Sequence, residues 1–348
     1  MKGFVASGAG VSETGRVRET NEDRILVMDN AGRGAALYAV ADGLGGHAAG
    51  NVASDLAVST LYQEVPALVA QGVPPRDALA AAFRRANAAI RGRAESPDRS
   101  GMATTCTAIL VNGRTGTVAH VGDSRAFLIR GREVRPLTTD HSLAAELVRQ
   151  GGLAPSDAGA HAQRHVLTRA LGAADAVQVD VVDVPLRSGD ILVLATDGLY
   201  SAVPEAEMAG VIRRGPDSLE ACQTLVGLAN ARGGLDNASA VIVRMRRRWV
   251  VQLTRAFAPA GVALFLAAGV GLYRVEHSYF LVEREGQVAV MQGVPARVLG
   301  VPLFSLVRVT AVPVTRIAPA YRAHLLRGIP ARSPEDAETL LRDLLEHP

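Results

Sequence analysis

Three aspartates of this chain stand where an apolar run meets glycine. Asp42 lies in Ala39-Val40-Ala41-Asp42-Gly43-Leu44-Gly45-Gly46-His47, Asp197 ends the run Ile191-Leu192-Val193-Leu194-Ala195-Thr196, and Asp236 sits in Gly233-Gly234-Leu235-Asp236-Asn237. A carboxylate delivered by a buried strand into backbone cleared of side chains suits a hard divalent cation and the phosphate it neutralises. One such turn alone carries little, since a glycine-rich strand-to-helix connection often only turns, or cradles a nucleotide. Asp beside Gly is also common in solvated turns. The set carries more. Mg²⁺ and Mn²⁺ keep several waters and need few carboxylates, held rigidly from well-separated segments. Asp42, Asp197 and Asp236 meet that need, with Asp23 or Glu22 as a fourth contributor and Asp123 as a fifth. Two such ions a few ångströms apart can lower the pKa of a shared water and hold hydroxide in line with a phosphorus atom. No histidine or cysteine cluster offers a competing zinc site. Cys106 and Cys222 are lone cysteines inside apolar segments and read as reduced, buried thiols.

The elements that must position these acids follow from hydrophobic periodicity. Residues 3–11 and 24–29 read as strands bracketing the charged loop Gly15 to Asp23, the rim of a site. The run Ala36 to Ala41 reads as a buried strand that hands Asp42 to a turn, after which 48–68 and 76–91 show helical apolar spacing. Residues 104–111, 117–121, 126–129 and 133–137 alternate like strands joined by hairpin-length turns, which implies antiparallel neighbours and disfavours a doubly wound parallel sheet. A short helix at 143–150 and an Ala/Gly/Ser-rich segment to residue 163 read as a flap. Strands at 177–184 and 190–195, helices at 205–213 and 218–232, and a strand at 240–244 complete this part.

With 348 residues, 48% hydrophobic and 20% charged, the chain has the material for two domains and a substantial core. Residues 244–348 hold 14 arginines against 8 acidic residues, leaving 23 basic and 26 acidic residues before them. Neither part carries the dense basic cluster interleaved with aromatics that nucleic-acid binding calls for, so no nucleic-acid partner is expected. Met1-Lys2-Gly3-Phe4 opens no apolar h-region, so no cleavable signal peptide is expected.

Seven blocks in order carry a family resemblance: VRETNED at 17–23, VADGLGGHAAGNVAS at 40–54, MATTCTAILV at 102–111, AHVGDSRAFLIR at 119–130, HVLTRALG at 165–172, GDILVLATDGL at 189–199 and GGLDNASAVIV at 233–243. Together they resemble the bacterial form of the metal-dependent type 2C serine/threonine protein phosphatases over about residues 3 to 245. The resemblance implies an α+β fold, a four-layer α/β/β/α sandwich of two antiparallel sheets flanked by helices, with two Mn²⁺ or Mg²⁺ ions between the sheets and a third, weaker ion. Carried over by position, Asp42 bridges the two ions with the Gly43 carbonyl on one of them. Asp197 and Asp236 hold that same ion, Asp23 and Glu22 serve the other, and Asp123 helps hold the third near the flap at 143–165. Arg18 matches the phosphate-binding arginine, and a planar two-pronged cation suits a phosphoryl group. Eukaryotic members place a histidine directly after the first Asp-Gly as leaving-group acid. Leu44 stands there in this chain, and bacterial relatives also lack that histidine. His47 is expected to cap or pack, and a metal-bound water to give the proton. The implied activity is hydrolysis of phosphoserine and phosphothreonine on proteins, opposing a bacterial serine/threonine kinase. A catalytically silent signalling scaffold, or a phosphatase acting on an anti-sigma antagonist, are the competing readings.

The remainder of the chain gives separate expectations. Ala256 to Tyr273 is a run of 18 residues without charge, about 27 Å as a helix, and reads as a single-pass membrane span with a basic juxtamembrane segment at 246–255. Arg244, Arg246, Arg247, Arg248 and Arg255 on one flank outnumber Arg274 and Arg284 on the other. The positive-inside rule then places residues 1–245 in the cytoplasm and a small α+β domain, 274–348, outside. In that domain 279–282 and 287–291 read as a hairpin, 303–312 as a strand, and Ser333-Pro334-Glu335-Asp336 as a capped helix start.

Overall fold

The computed structural model describes residues 4–45, 49–95, 101–215, 217–247, 265–266, 268–298 and 300–346. His47, read above as a capping residue, lies outside them. The chain divides into two compact units, Met1–Val251 and Gln252–Pro348.

In the first unit β1 (Phe4–Glu13), β2 (Asp23–Met28) and β3 (Ala35–Leu44) precede α1 (Ala49–Ala70) and α2 (Pro75–Ala94). Then come β4 (Ala103–Thr104), β5 (Cys106–Asn112), β6 (Thr115–Val121), β7 (Arg125–Arg130), β8 (Glu133–Pro136) and α3 (Leu143–Arg149). The unit ends with β9 (Asp180–Pro185), β10 (Ile191–Ala195), α4 (Asp197–Tyr200), α5 (Glu205–Arg214), α6 (Ser218–Ala231) and β11 (Ala238–Arg247). One sheet has the order β1-β11-β10-β7-β8, the other β2-β3-β5-β6-β9 with β4 on β3, and their pairings are antiparallel.

Three apolar layers account for the stacking. Helix α1 buries Ala53, Ala57, Leu61, Val65 and Val69, a stripe at four-residue spacing, with α2 residues Leu79, Phe83 and Ile90 against the outer face of the β3 sheet. Tyr38, Val40, Ile109, Leu192 and Val241 fill the space between the two sheets. Met208, Ile212, Leu225 and Val226 of α5 and α6 cover the far face of the β10 sheet. Strands buried on both faces read as continuous apolar runs, which is why 36–41 and 191–195 are legible in the sequence.

Two boundaries differ from the sequence reading in ways that bear on function. Strand β3 does not stop before Asp42: it continues through Asp42 and Gly43 to Leu44, pairing Asp42 with Asp23 and Gly43 with Thr104. Strand β11 runs on to Arg247, so Arg246 and Arg247 stand opposite Val5 and Phe4 as part of a sheet. Arg244 donates from Nη2 to the carbonyls of Ile212 and Gly215, closing the end of α5. These three arginines belong to the fold of the first unit, while Arg248 and Arg255 lie outside the described residues.

The expected membrane-spanning helix is overturned: among the described residues no helix is long and apolar enough to cross a membrane. Residues 256–264 and 267 of that stretch lie outside the described residues. The described part is helical at 265–266 and 268–277 and runs into Arg274 and Glu276. Eighteen uncharged residues are the bare minimum for a span, and counting them takes no account of where the helix starts and stops. The inside and outside assignments read from its flanks lose their footing with it.

The second unit has a four-stranded antiparallel sheet, order β14-β13-β12-β15, from β12 (Tyr279–Arg284), β13 (Gln287–Val298), β14 (Val301–Pro313) and β15 (Ile329–Ala331). Leu325 of the helix Pro319–Leu325 and Leu341 and Leu344 of the helix Pro334–Glu346 join Leu281, Val288 and Val290 in a core of its own.

Candidate metal centre

The sandwich brings the carboxylates to one edge of the two central sheets. Asp23 opens β2 and faces Asp42 across the β2–β3 ladder. Its Oδ2 accepts from Thr196 Oγ1 at 2.8 Å and from Ser239 Oγ at 2.6 Å, so the opposite sheet grips it from β11 and from the residue before α4. Its Oδ1 is buried without a hydrogen-bond partner. Burial pushes the Asp23 carboxyl up to about 7, against the two hydroxyl hydrogen bonds and with the help of Asp197 and Asp236.

Asp42 is fixed through its backbone. Its N–H donates to Thr105 Oγ1 at 2.9 Å, and its carbonyl accepts from Thr105 N at 2.8 Å and Thr104 Oγ1 at 2.8 Å. Its carboxyl is raised well above the usual range by burial and then by Asp23, Asp197, Asp123 and Asp236 in turn. Asp197, at the start of α4, is raised by burial and by Asp236, and a side-chain hydrogen bond joins it to Asp42. His165 Nδ1 lies 3.5 Å from Asp197 Oδ2.

Gly43 is required by close approach, since a Cβ there would collide with the Gly50 carbonyl at the start of α1. Its N–H donates to the Glu22 carbonyl at 3.2 Å. The Glu22 carboxyl is itself raised by burial. Asp123, in the turn between β6 and β7, is buried and pushed up to about 7 by that burial and by Asp197 and Asp140. It also lines a cleft of about 650 Å³ walled by α3, Pro155, Ala158, Arg164, His165 and Tyr200. The flap and Asp123 thus share one space.

Arg18 and Asp236 form an ion pair, Nη2 to Oδ2 at 2.7 Å, with the arginine half exposed. The structure therefore seats the candidate phosphate-binding guanidinium on a candidate metal ligand. The sequence reading placed Asn237 beside its acid but missed what it does. Its Oδ1 accepts from Glu22 N at 2.8 Å while Nδ2 donates to the carbonyls of Thr14 at 2.8 Å and Thr20 at 3.0 Å, pinning both ends of the charged loop. Thr105, Thr196 and Ser239 were also missed. Thr196 is marked only by preceding Asp197 and Ser239 only by following Asp236 at three residues, and Thr105 has no neighbouring acid in the sequence.

Among the described residues no three Asp, Glu, His or Cys side chains close on a common point as a finished metal site. The arrangement suits ions that keep much of their water, for which a few carboxylates and a backbone carbonyl suffice. The chemistry of the set also calls for cations. Burial and neighbouring acids raise the proton affinity of Asp23, Asp42, Asp123 and Asp197, one oxygen of Asp23 is buried with no donor, and Arg18 meets the set in an ion pair with Asp236.

Over residues 7–238 the sequence matches the family described as Protein phosphatase 2C. The "Serine/threonine phosphatase stp" of Listeria innocua is 38% identical over 237 residues, 67% of this chain and 93% of its own length. The serine/threonine phosphatase PstP/Ppp of Mycobacterium tuberculosis is a solved structure with 36% identity and a TM-score of 0.62, covering 70% of this chain and 99% of its own. The catalytic domain of the serine/threonine protein phosphatase PstP in complex with two manganese ions gives 34% identity and a TM-score of 0.60, covering 70% of this chain and 99% of its own.

Proposed function

The chain belongs to the protein phosphatase 2C family and is a metal-dependent serine/threonine phosphatase, and from that premise we propose which of its residues do the work. It uses two Mn²⁺ or Mg²⁺ ions. Asp42 and the Gly43 carbonyl, Asp23 with Glu22, Asp197 and Asp236 are the groups to hold them, and Asp123 the one for a third, weaker ion. The observation that carries this is the buried, partnerless Oδ1 of Asp23, paired across the ladder with Asp42, whose carboxyl is raised by burial and by Asp23, Asp197, Asp123 and Asp236.

When bound, the ions supply Lewis acidity toward a water and toward the phosphoryl oxygens. The protein's own part is orientation. Thr196 and Ser239 hold Asp23 by one oxygen and leave the other without a partner. Thr105 fixes the backbone of Asp42 from both sides. Asp236 would help hold a cation, and the guanidinium of Arg18, half exposed beside it, would present a fork that matches two oxygens of the substrate phosphate. Leu44 has no proton to give, so leaving-group protonation falls to solvent held in the site. The substrates are phosphoserine and phosphothreonine proteins, among which we place a bacterial serine/threonine kinase and its targets.

The test is a Mn²⁺ titration on a phosphothreonine peptide with the wild-type chain and with Asp197→Asn. Loss of a group aimed at the reacting charge predicts a fall in kcat of about 10²- to 10³-fold. A normally folded Asp197→Asn protein with full Mn²⁺-dependent activity would remove Asp197 from the ligand set.

A further inference from the structure

His141 is almost wholly buried between β8 and the flap, and none of the chemistry above uses it. It holds Gly122, the residue before Asp123, by both of that glycine's backbone groups. The Gly122 N–H donates to His141 Nδ1 at 3.1 Å, and the His141 N–H donates to the Gly122 carbonyl at 2.7 Å. A backbone N–H can only donate, so Nδ1 is the bare nitrogen and Nε2 carries the proton. Nε2 accordingly donates to Asp180 Oδ2 at 3.2 Å, on the carboxylate that Arg169 Nη1 also reaches at 2.8 Å.

The clamped turn has no freedom on its other side. Gly122 has φ +107°, and a Cβ there would press into Thr105, the residue that fixes Asp42. Thr105 Oγ1 also meets Ser124 Oγ at 2.7 Å, one residue beyond Asp123. In the other direction the His141 carbonyl accepts from Thr168 N at 2.8 Å, and the next residue, Ser142, bridges to Leu167 and caps α3 through Ala145 N. His141 thus stands where the flap leaves the sheet and where it returns.

We propose that His141 is a positioning residue that sets the place of Asp123 through Gly122 and ties that turn to the returning end of the flap. The proposal deepens the reading of Asp123 as a cation-holding acid and rests on it. It makes the flap and the Asp123 turn move together: whatever loosens the flap at Thr168 loosens Asp123, and an ion held at Asp123 steadies the flap.

Three variants of the full chain separate the clamp from simple packing. Asparagine presents Oδ1 where imidazole presents Nδ1 and can still accept from Gly122, whereas glutamine reaches toward Asp180 and leaves Gly122 without an acceptor. Hydrogen exchange at the Gly122, Asp123 and Thr168 amides is read in the metal-free chain, and kcat and KM on a phosphothreonine peptide are read across a Mn²⁺ titration. In His141→Gln and His141→Ala the three amides exchange faster, and the Mn²⁺ concentration for half-maximal activity rises about tenfold, the usual scale for removing a residue that orients a ligand. His141→Asn restores both. Unchanged exchange and Mn²⁺ dependence in His141→Gln, or a His141→Asn variant as impaired as His141→Gln, would overturn the proposal. A wild-type chain without Mn²⁺-dependent turnover would instead sink the phosphatase reading, and the exchange measurements would still decide the clamp.

Discussion

Asp23 holds one carboxylate oxygen between two hydroxyls and offers the other to nothing. With its carboxyl and that of Asp123 pushed up to about 7 by burial first and by neighbouring acids second, the folded chain binds protons that the unfolded chain has already lost. The sign of the linkage follows. In the metal-free protein the contribution of these two groups is greatest below the unfolded pKa of about 4 and is lost as pH rises through 7. Melting temperature measured in chelator should therefore fall between pH 5 and pH 8, and saturating Mn²⁺ should flatten that fall by supplying the missing positive charge. Asp23→Asn should flatten it in chelator alone. A metal-free melting temperature that rises across this range would mean the acids are compensated from within the fold, and the case for a cation at Asp23 would go.

At the scale of elements, the Asp-Gly pairs show what glycine is for. Gly43 has no left-handed φ; it lies within β3 and lets the strand pass against Gly50 of α1, while Gly198 lies against the Asn237 carbonyl. Gly43→Ala should thus push α1 from β3 and displace Asp42. The cost is about 1–3 kcal/mol of overpacking, read as a drop in urea midpoint, together with a loss of Mn²⁺-dependent turnover larger than that drop accounts for. Unchanged turnover with lowered stability would separate Gly43 from the site. Much of the element map was legible because these strands are buried on both faces and α1 and α2 carry a clean apolar stripe. The strand running on through Asp42 was not, because glycine used for close approach looks in sequence like glycine used for a turn. Nor were Thr105, Thr196 and Ser239, whose partners lie 63, 173 and 216 residues away and meet only through sheet register. The stretch 256–273 misled for a related reason. Its composition is apolar, but composition does not say where a helix begins and ends.

For the whole molecule, the chemistry and the chain length part company. Residues 7–238 carry the family match, and about two-thirds of this chain spans 93% to 99% of the relatives it resembles. Every proposed ligand, the Arg18 guanidinium and the His141 clamp lie within Met1–Val251, a unit with its own three apolar layers. Gln252–Pro348 has a separate core around Leu281, Val290 and Leu341 and contributes none of those groups. Two cores with no shared side chains should melt as two transitions. Calorimetry of the full chain should show Mn²⁺ moving one of them and leaving the other in place. A chain ending at Val251 should keep kcat/KM on a phosphothreonine peptide within about twofold of the full chain, since every residue proposed to hold the cations or the phosphate lies in the first unit. A tenfold or greater loss on truncation, with the remaining unit still melting cooperatively, would show that the second unit takes part in catalysis.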